Sequence, residues 1–428
     1  MIDFIKSFVK NKKVLILGFG REGRASFNLI REAGGYSKLA VSDMKKIEDL
    51  PDDVTLHTGD DYLSVIDDYD IVFKTPGIVM PKELKEYKAF FTSETELFIE
   101  KYRDKIIGIT GTKGKSTTST LLYETLKDYG IKVLFAGNIG IPVFDIWKEI
   151  DDDTLIVLEL SCHQLEYAVT SPKYSMILNI FEDHLDHYGT REKYAKSKLN
   201  LPLYQKETDL FMTVKEVVDE FGEFKVNTVL IDKNSLPVDN FKDINMNLKG
   251  EHNILNAAFA YSMAKVFGVT LESFIETLKR FNPLPHRLQF VGKFNGVDYY
   301  DDSISTTVKS AISACESIDN AETILIGGME RNIDYTELVS YLKKSSKLKN
   351  IICMYESGER FFEMYKKALK FPGAPKAYYK KDLELSVSFA KEITGKGGAV
   401  LLSPAAASYG YFKNFEERGD KFQNLVKC

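Results

Sequence analysis

Lys105-Ile-Ile-Gly-Ile-Thr-Gly-Thr-Lys-Gly-Lys-Ser-Thr-Thr118 is the stretch on which the reading of this chain turns. Its first part is a short apolar run of the kind that forms a buried strand. Gly111 to Gly114 make a glycine turn, and a helix-compatible stretch, Thr117 to Tyr129, follows. Strand, glycine turn and helix together form a phosphate cradle. Backbone N–H groups and the helix N-terminus face the anion, Lys115 adds a point charge, and the Ser116 hydroxyl is placed to ligate magnesium. The commoner loop of this kind has a glycine where Ile109 stands, so Gly111-x-x-Gly114-Lys-Ser-Thr117 is a shorter variant. The alternative is a glycine turn in a Rossmann-like unit that holds no nucleotide. The strand–turn–helix context favours a nucleoside triphosphate.

Working outward, Lys13-Val-Leu-Ile-Leu-Gly18 is a continuous apolar strand, followed by Gly18-Phe-Gly20-Arg-Glu-Gly23 and a helix expected from about Arg24 to Ala33. A second strand, Leu39–Asp43, ends in an acidic residue about twenty positions past the last glycine, the dinucleotide-fold pattern. A third, Asp70–Thr75, runs into Pro76-Gly77. Beyond the phosphate loop, strands expected at Lys132–Ala136, Thr154–Glu159 and Tyr174–Asn179 alternate with helical stretches. A last block carries strands near Val297–Tyr300, Thr323–Ile326, Asn350–Met354 and Ala399–Leu402. The fold class expected is α/β in three domains: a Rossmann-like N-terminal domain (1–103), a central P-loop domain on a parallel sheet (104–287) and a Rossmann-like C-terminal domain (288–428).

In open α/β sheets, ligands bind beyond the carboxyl ends of the strands. Glu159 ends an apolar strand, where a carboxylate is costly unless paired or bound to metal; the plainer alternative is a partner for a helix N-terminus. Asn179-Ile-Phe-Glu-Asp183-His184-Leu-Asp186-His-Tyr follows another strand. A neutral His184 imidazole is able to ligate magnesium or manganese, with Asp183 and Asp186 orienting it; the alternative is a polar turn. Tyr194 and Lys198 share a helical face at i, i+4 spacing. From the residues alone, Lys198 is indistinguishable from Lys193 or Lys196, each of which would ordinarily be solvated. Gly250-Glu-His-Asn253-Ile-Leu-Asn256 opens an alanine-rich helix with both amides on one face, suited to an adenine edge or a phosphate; helix capping is the alternative. Arg287, in Pro285-His-Arg287, stands at an expected domain joint, where it reaches phosphates or forms an interdomain ion pair.

With 428 residues, 44% hydrophobic and 28% charged, the chain has the composition of a soluble globular protein. A net charge of −5 with no basic run gives no nucleic-acid footprint. Cys162, Cys315, Cys353 and Cys428 are scattered without metal-type spacing and read as reduced thiols. Asp3 and Lys6 interrupt the amphipathic N-terminus, which therefore does not read as a secretory signal. No apolar run approaches the roughly 20 residues of a membrane helix. A cytoplasmic monomer that binds neither nucleic acid nor membrane is the expectation.

Taken in order, Gly111–Thr117, Gly137-Asn138-Ile-Gly140, Glu159-Leu-Ser161, Glu182-Asp-His184-Leu-Asp186, Gly250-Glu-His-Asn253-x-x-Asn256, Pro285-His-Arg287 and Asp302-Ser303 resemble the Mur ligases, ATP-dependent amide ligases that build the cell-wall peptide stem. The resemblance runs from about residue 10 to 425. The C-terminal run Leu402-Ser-Pro-Ala-Ala-Ala-Ser408 through Phe415 to Phe422 is similar to the glutamate-adding branch. The resemblance implies ATP, magnesium at two sites, and joining of D-glutamate to UDP-N-acetylmuramoyl-L-alanine through an acyl phosphate. It implies magnesium on Ser116 and Glu159, a second ion on His184, and carbamylation of Lys198. Lys115 and Asn138 would meet the transferring phosphate. ATP would contact Gly111, Thr112, Lys113, Gly114, Thr117, Asn253, Asn256, Arg287 and Asp302. UDP would lie against Gly18, Gly20, Gly23, Asp43, Thr75, Pro76 and Gly77. Ser161 would touch substrate, and Arg331, Ser408 and Phe415 would receive the glutamate.

Two departures bear on the amino acid. Ile304 stands where many glutamate-adding relatives have lysine, and Arg331 replaces another lysine in Gly327-Gly-Met-Glu-Arg331. A subgroup that adds L-glutamate resembles this pattern, so an L-glutamate enzyme is the first alternative. Another Mur-type or folylpolyglutamate-type ligase is the second. A nucleotide-gated regulator without ligase activity is a third, and it predicts loss of Glu159, His184 and Lys198, which are all present.

Overall fold

The computed structural model describes residues 1–138, 141–238, 244, 248, 251–282, 284–368 and 373–428, with the side chains of residues 185, 186, 251 and 368 left aside. Gly140, Gly250 and the side chain of Asp186, which figure in the motifs above, lie outside the described residues. The chain divides into two compact units, Met1–Phe241 with Ile254–Leu278, and Lys242–Asn253 with Lys279–Cys428. The first holds two sheets and the second holds one.

The first sheet comprises β1 (Lys13–Leu17), β2 (Lys38–Asp43), β3 (Thr55–Thr58), β4 (Ile71–Lys74) and β5 (Phe90–Thr92), all parallel, in the order β3-β2-β1-β4-β5. Val14 to Leu17 are fully buried, as an apolar run with helices on both faces requires. The helix after β1 begins at Arg21, earlier than the expected Arg24, because Gly20 supplies an extended residue in front of it. Thr55–Thr58 and Phe90–Thr92 are edge strands of four and three residues, too short to show a period in the sequence.

The second sheet comprises β6 (Ile106–Thr110), β7 (Val133–Gly137), β8 (Leu155–Glu159), β9 (Tyr174–Ile177), β10 (Leu210–Thr213) and β11 (Asn227–Leu230), also parallel, in the order β11-β10-β9-β6-β8-β7. Its register pairs Ile109 with Glu159, Thr110 with Ile177, and Gly137 with Glu159. The chain runs to one side of β6 for β7 and β8 and to the other for β9. The carboxyl ends of β6, β8 and β9 therefore meet at a topological switch, where such sheets bind ligands. The helix after the glycine turn, Lys115–Asp128, starts two residues before the expected Thr117 and buries Leu121, Leu122 and Leu126 against the sheet.

The third sheet, in the second unit, comprises β12 (Gln289–Phe294), β13 (Val297–Asp301), β14 (Ala321–Ile326), β15 (Asn350–Met354), β16 (Lys376–Lys380) and β17 (Ala399–Leu402), in the order β12-β13-β17-β14-β15-β16. Only the β12–β13 pair is antiparallel. Ile324, Leu325, Ile351, Ile352, Val400 and Leu401 fill its two faces. Among the described residues, no helix is long and apolar enough to cross a membrane.

Candidate active site

The glycine turn after β6 is built for close approach. Gly114 has φ +85° and stands immediately before the helix; a Cβ there would lie 2.3 Å from the Asn256 Oδ1. Only glycine takes that conformation and that contact together. The turn is held from below by Asn179, whose Oδ1 accepts from the backbone N–H of Thr112 (3.1 Å) and Lys113 (2.9 Å) and whose amide donates to the Lys113 carbonyl (3.1 Å). The sequence places Asn179 at a strand end, at the head of the Asp183–His184 motif; its bracing of the turn is visible only in three dimensions. The Lys115 ammonium folds back over the turn and donates to the carbonyls of Gly111 (2.9 Å) and Thr112 (3.2 Å). Ser116 is buried at the first turn of the helix, with Thr117 following it.

At the end of β8 the Glu159 carboxylate is wholly buried. Asn138 donates to its Oε1 at 2.8 Å and Ser119 to its Oε2 at 3.3 Å. Among the described residues those donors are neutral, which leaves the buried negative charge suited to a cation. The helix-N-terminus alternative fails: Asn138 comes from the end of β7 and Ser119 from inside a helix. Ser161, two residues on, caps the short helix Cys162–Leu165 with its hydroxyl, accepting from the Gln164 N–H at 3.2 Å.

Lys198 resolves differently from the solvated lysine of the sequence reading. It sits on helix Arg191–Leu203 in the buried stripe formed by Tyr194, Ala195, Ser197 and Leu201, whereas Lys193 and Lys196 are exposed. The stripe is the signal that could have found it: apolar residues at 194, 195 and 201 place position 198 on the same inward face. The Lys198 Nζ donates to the Gly111 carbonyl at 3.1 Å and lies 4.8 Å over the Tyr194 ring, whose hydroxyl donates to Thr112 Oγ1 at 3.0 Å. Burial, with the charge of Lys115 added, lowers its pKa from the ordinary lysine range to about 7. A substantial fraction of this amine is therefore neutral, and nucleophilic, at physiological pH.

His184 lies after β9 with φ +51° and is exposed; its backbone N–H donates to the Asp183 Oδ1 at 2.9 Å, and its Nε2 is 3.9 Å from Asp183 Oδ2. The 3.9 Å contact is longer than a hydrogen bond, so the bond Asp183 makes here is to the backbone. Asn253 and Asn256 fall within helix Glu251–Val266 and are both buried, so they are not caps.

In the first sheet the glycine loop, the end of β2 and the end of β4 converge. Gly18 has φ +90°, and a Cβ there would lie 2.1 Å from Thr75 Oγ1; one on Gly23 would lie 2.0 Å from the Gly18 carbonyl. Asp43 accepts from the N–H groups of Phe19 (2.7 Å) and Lys45 (2.8 Å), so its carboxylate braces the loop itself. Thr75 donates to the Leu17 carbonyl at 3.0 Å. Gly20 and Gly77 face open space, and Pro76 lies between Thr75 and Gly77.

In the second unit Asp302 is buried and accepts from the Leu288 N–H (3.1 Å), from Ser403 (2.7 Å) and from Ser305; burial raises its pKa to about 6. Arg287 is part-buried at the chain's entry into this unit. The Arg331 guanidinium lies 5.7 Å over the Tyr409 ring, next to the buried Ser408. Phe415 begins the last helix, and its carbonyl accepts from Ser303 Oγ at 2.8 Å. Sequence reading missed Arg418, which is fully buried and donates to Ser303 Oγ (3.0 Å), the Ser303 carbonyl (2.7 Å) and the Ala406 carbonyl (3.1 Å). It ties together the two segments that carry Asp302 and Ser408.

The fold carries a glycine turn of the phosphate-loop type at the topological switch of its second sheet. A family model described as the Mur ligase middle domain matches residues 109–229. Over 98% of both chains, the protein is 32% identical to a UDP-N-acetylmuramoylalanine–D-glutamate ligase of Clostridium botulinum, and over 99% of this chain and 98% of the relative it is 32% identical to one of Clostridium kluyveri. The chain belongs to the Mur ligase family. Among solved structures, a MurF ligase of Thermotoga maritima in complex with ADP superposes with a TM-score of 0.59 at 16% identity, covering 100% of this chain and 99% of that one. A MurF of Acinetobacter baumannii gives 0.60 at 14% identity, covering 99% and 92%. At those identities the likeness is one of fold.

Proposed function

We propose that this ligase joins D-glutamate to UDP-N-acetylmuramoyl-L-alanine at the expense of ATP. The observation that carries the reading is the convergence, at one end of the second sheet, of the phosphate loop, the buried Glu159 carboxylate and the buried Lys198 amine. The names of relatives that match over nearly the whole chain support the substrates.

In this reading an oxygen of the alanine carboxylate attacks the γ-phosphorus of ATP, and ADP leaves. The glutamate amine, having lost a proton, attacks the acyl carbon, and phosphate departs as the amide forms. Negative charge gathers on the transferring group. The Lys115 ammonium and the N–H groups of the Gly111–Ser116 turn stabilise it, with Asn138 alongside. Ser116 and Glu159 would hold one magnesium ion, and His184, with carbamylated Lys198, a second; the metal supplies charge neutralisation to the phosphoryl oxygens. The fit rests on a buried carboxylate met by neutral donors and on a buried serine hydroxyl at the helix start. Carbamylation would start from the neutral amine: its lone pair adds to the carbon of CO₂, one proton goes to solvent, and the neutral amine becomes a carbamate anion.

Domain roles follow the family: residues 1–103 bind the UDP moiety through Gly18, Gly20, Gly23, Asp43 and Thr75–Gly77; residues 104–287 bind ATP, with Asn253 and Asn256 contributing; residues 288–428 bind glutamate. Arg287 and Asp302 are assigned to ATP. Arg331, Ser408 and Phe415 are assigned to glutamate.

Phosphate release is expected only when UDP-N-acetylmuramoyl-L-alanine, glutamate and ATP are all present, and faster with D- than with L-glutamate in parallel assays. Release indifferent to either co-substrate defeats the ligase reading; preference for L-glutamate reassigns the amino acid, which Ile304 and Arg331 would then explain. Arg331→Ala is expected to raise the KM for glutamate about tenfold, the loss of one charged hydrogen-bonded contact, with little change in the KM for ATP. Equal effects on both would remove Arg331 as the carboxylate anchor.

A further inference from the structure

Next to the phosphate loop lies a second group of metal-binding side chains that the ligase chemistry does not use. His163 and Glu166 come from the segment after β8, and His187 from the short helix Leu185–Tyr188 after β9. One ligand atom from each lies within 4.8 Å of the others. His187 Nε2 is 3.0 Å from Glu166 Oε2, and the two imidazole rings meet edge to face with centroids 4.4 Å apart. Both His187 (12% exposed) and Glu166 (18%) keep an edge toward solvent, by which an ion can enter. The Tyr188 hydroxyl lies 3.3 Å from His163 Nδ1, and its ring stacks on the imidazole, which orients that ring.

We propose that His163, Glu166 and His187 form a binding site for a borderline divalent ion of the zinc class, separate from the magnesium positions of the ligase reaction. Two imidazoles and one carboxylate are the donor set that zinc takes with a fourth position left to water, whereas magnesium prefers an oxygen shell. Ligand atoms about 2 Å from a tetrahedral ion stand roughly 3.3 Å apart. The His187–Glu166 pair already has about that spacing, and an ångström-scale inward shift of His163 completes the triad. The competing triad, Cys162, His163 and His184, needs a buried thiol to lose its proton and takes a residue assigned to magnesium. A bound ion would join the segment that follows Glu159 to the one that follows His184, and so fix the loop on which His184 stands. The inference does not depend on the identity of the amino acid joined.

The full chain, saturated with magnesium and free of nucleotide, is titrated with Co²⁺ and followed by visible absorption. One equivalent is expected to produce the intense ligand-field bands of a four-coordinate site, and Zn²⁺ to abolish them. His187→Ala and Glu166→Gln are expected to weaken Co²⁺ binding by at least about tenfold, while His184→Ala and Cys162→Ser leave it unchanged. Absence of a stoichiometric band in the unaltered protein overturns the proposal whatever the variants do. So does a titration indifferent to both His187→Ala and Glu166→Gln in variants shown by circular dichroism to be folded. A thiolate charge-transfer band that disappears in Cys162→Ser puts the ion on the other triad, and equally overturns it.

Discussion

Lys198→Ala is expected to lower kcat by roughly 10²- to 10³-fold, the usual cost of removing a group that stabilises developing charge in a closed site, with partial recovery on addition of short carboxylic acids. The reasoning starts from burial. The Lys198 amine sits under the phosphate loop on the Gly111 carbonyl, and desolvation with the charge of Lys115 brings its pKa to about 7. As a cation there it would repel magnesium; as a carbamate it would attract it. The alanine variant leaves a space next to Tyr194 that a small carboxylate is shaped to enter. Protonation of the amine blocks addition of CO₂, so carbamate-dependent activity is expected to fall as the pH drops through about 7 and to respond to bicarbonate. The variant rescued by acetate is expected to lose the bicarbonate response. Full activity in Lys198→Ala, or rescue by neutral amides as effective as by acids, removes the carbamate assignment.

Glu159→Gln is the second large effect: a fall in kcat of roughly 10²- to 10³-fold with a stability change of no more than about 1.5 kcal/mol. The substitution preserves shape. The glutamine oxygen can still accept from Asn138, and its amide can donate to Ser119, whose hydroxyl accepts as readily as it donates. What disappears is the buried negative charge. Raised magnesium is expected to restore part of the rate, because a weakened ion site is refilled by mass action. If thermal unfolding shifts strongly while activity per folded molecule is kept, Glu159 is a structural residue and the metal assignment fails. The two variants separate cleanly: rescue by acids belongs to Lys198, and rescue by magnesium belongs to Glu159.

Much of the site was legible because it is local. Gly111 to Ser116 form the proposed phosphate turn from consecutive residues, and the turn conformation at Gly114 is dictated by the residue type itself. Glu159 was legible because an acid at the end of an apolar run is an energetic anomaly anywhere. Lys198 was singled out only by the family resemblance; from the residues alone it was not legible, because its meaning depends on which face of a helix is buried, and three lysines of that helix compete for the role. Asn179 and Arg418 were silent for a related reason. Each braces backbone groups distant in sequence, and an Asn or Arg reads like any surface residue until its partners are in place. The His163, Glu166 and His187 group was hidden likewise, since no spacing links residues brought in by two different strand ends.

The sequence by itself determined the α/β class and the phosphate loop, because short apolar runs punctuated by glycine turns specify parallel strands and their loops locally; the family came from the resemblance of its motifs taken in order. The tertiary structure alone decided that β6 lies between β8 and β9, which brings three loops to one end of the sheet. It also decided which lysine is buried there. Strand order and burial are properties of long-range packing, and they set the dielectric around a side chain; that environment, more than residue type, lowers the Lys198 pKa while Lys193 and Lys196 remain exposed.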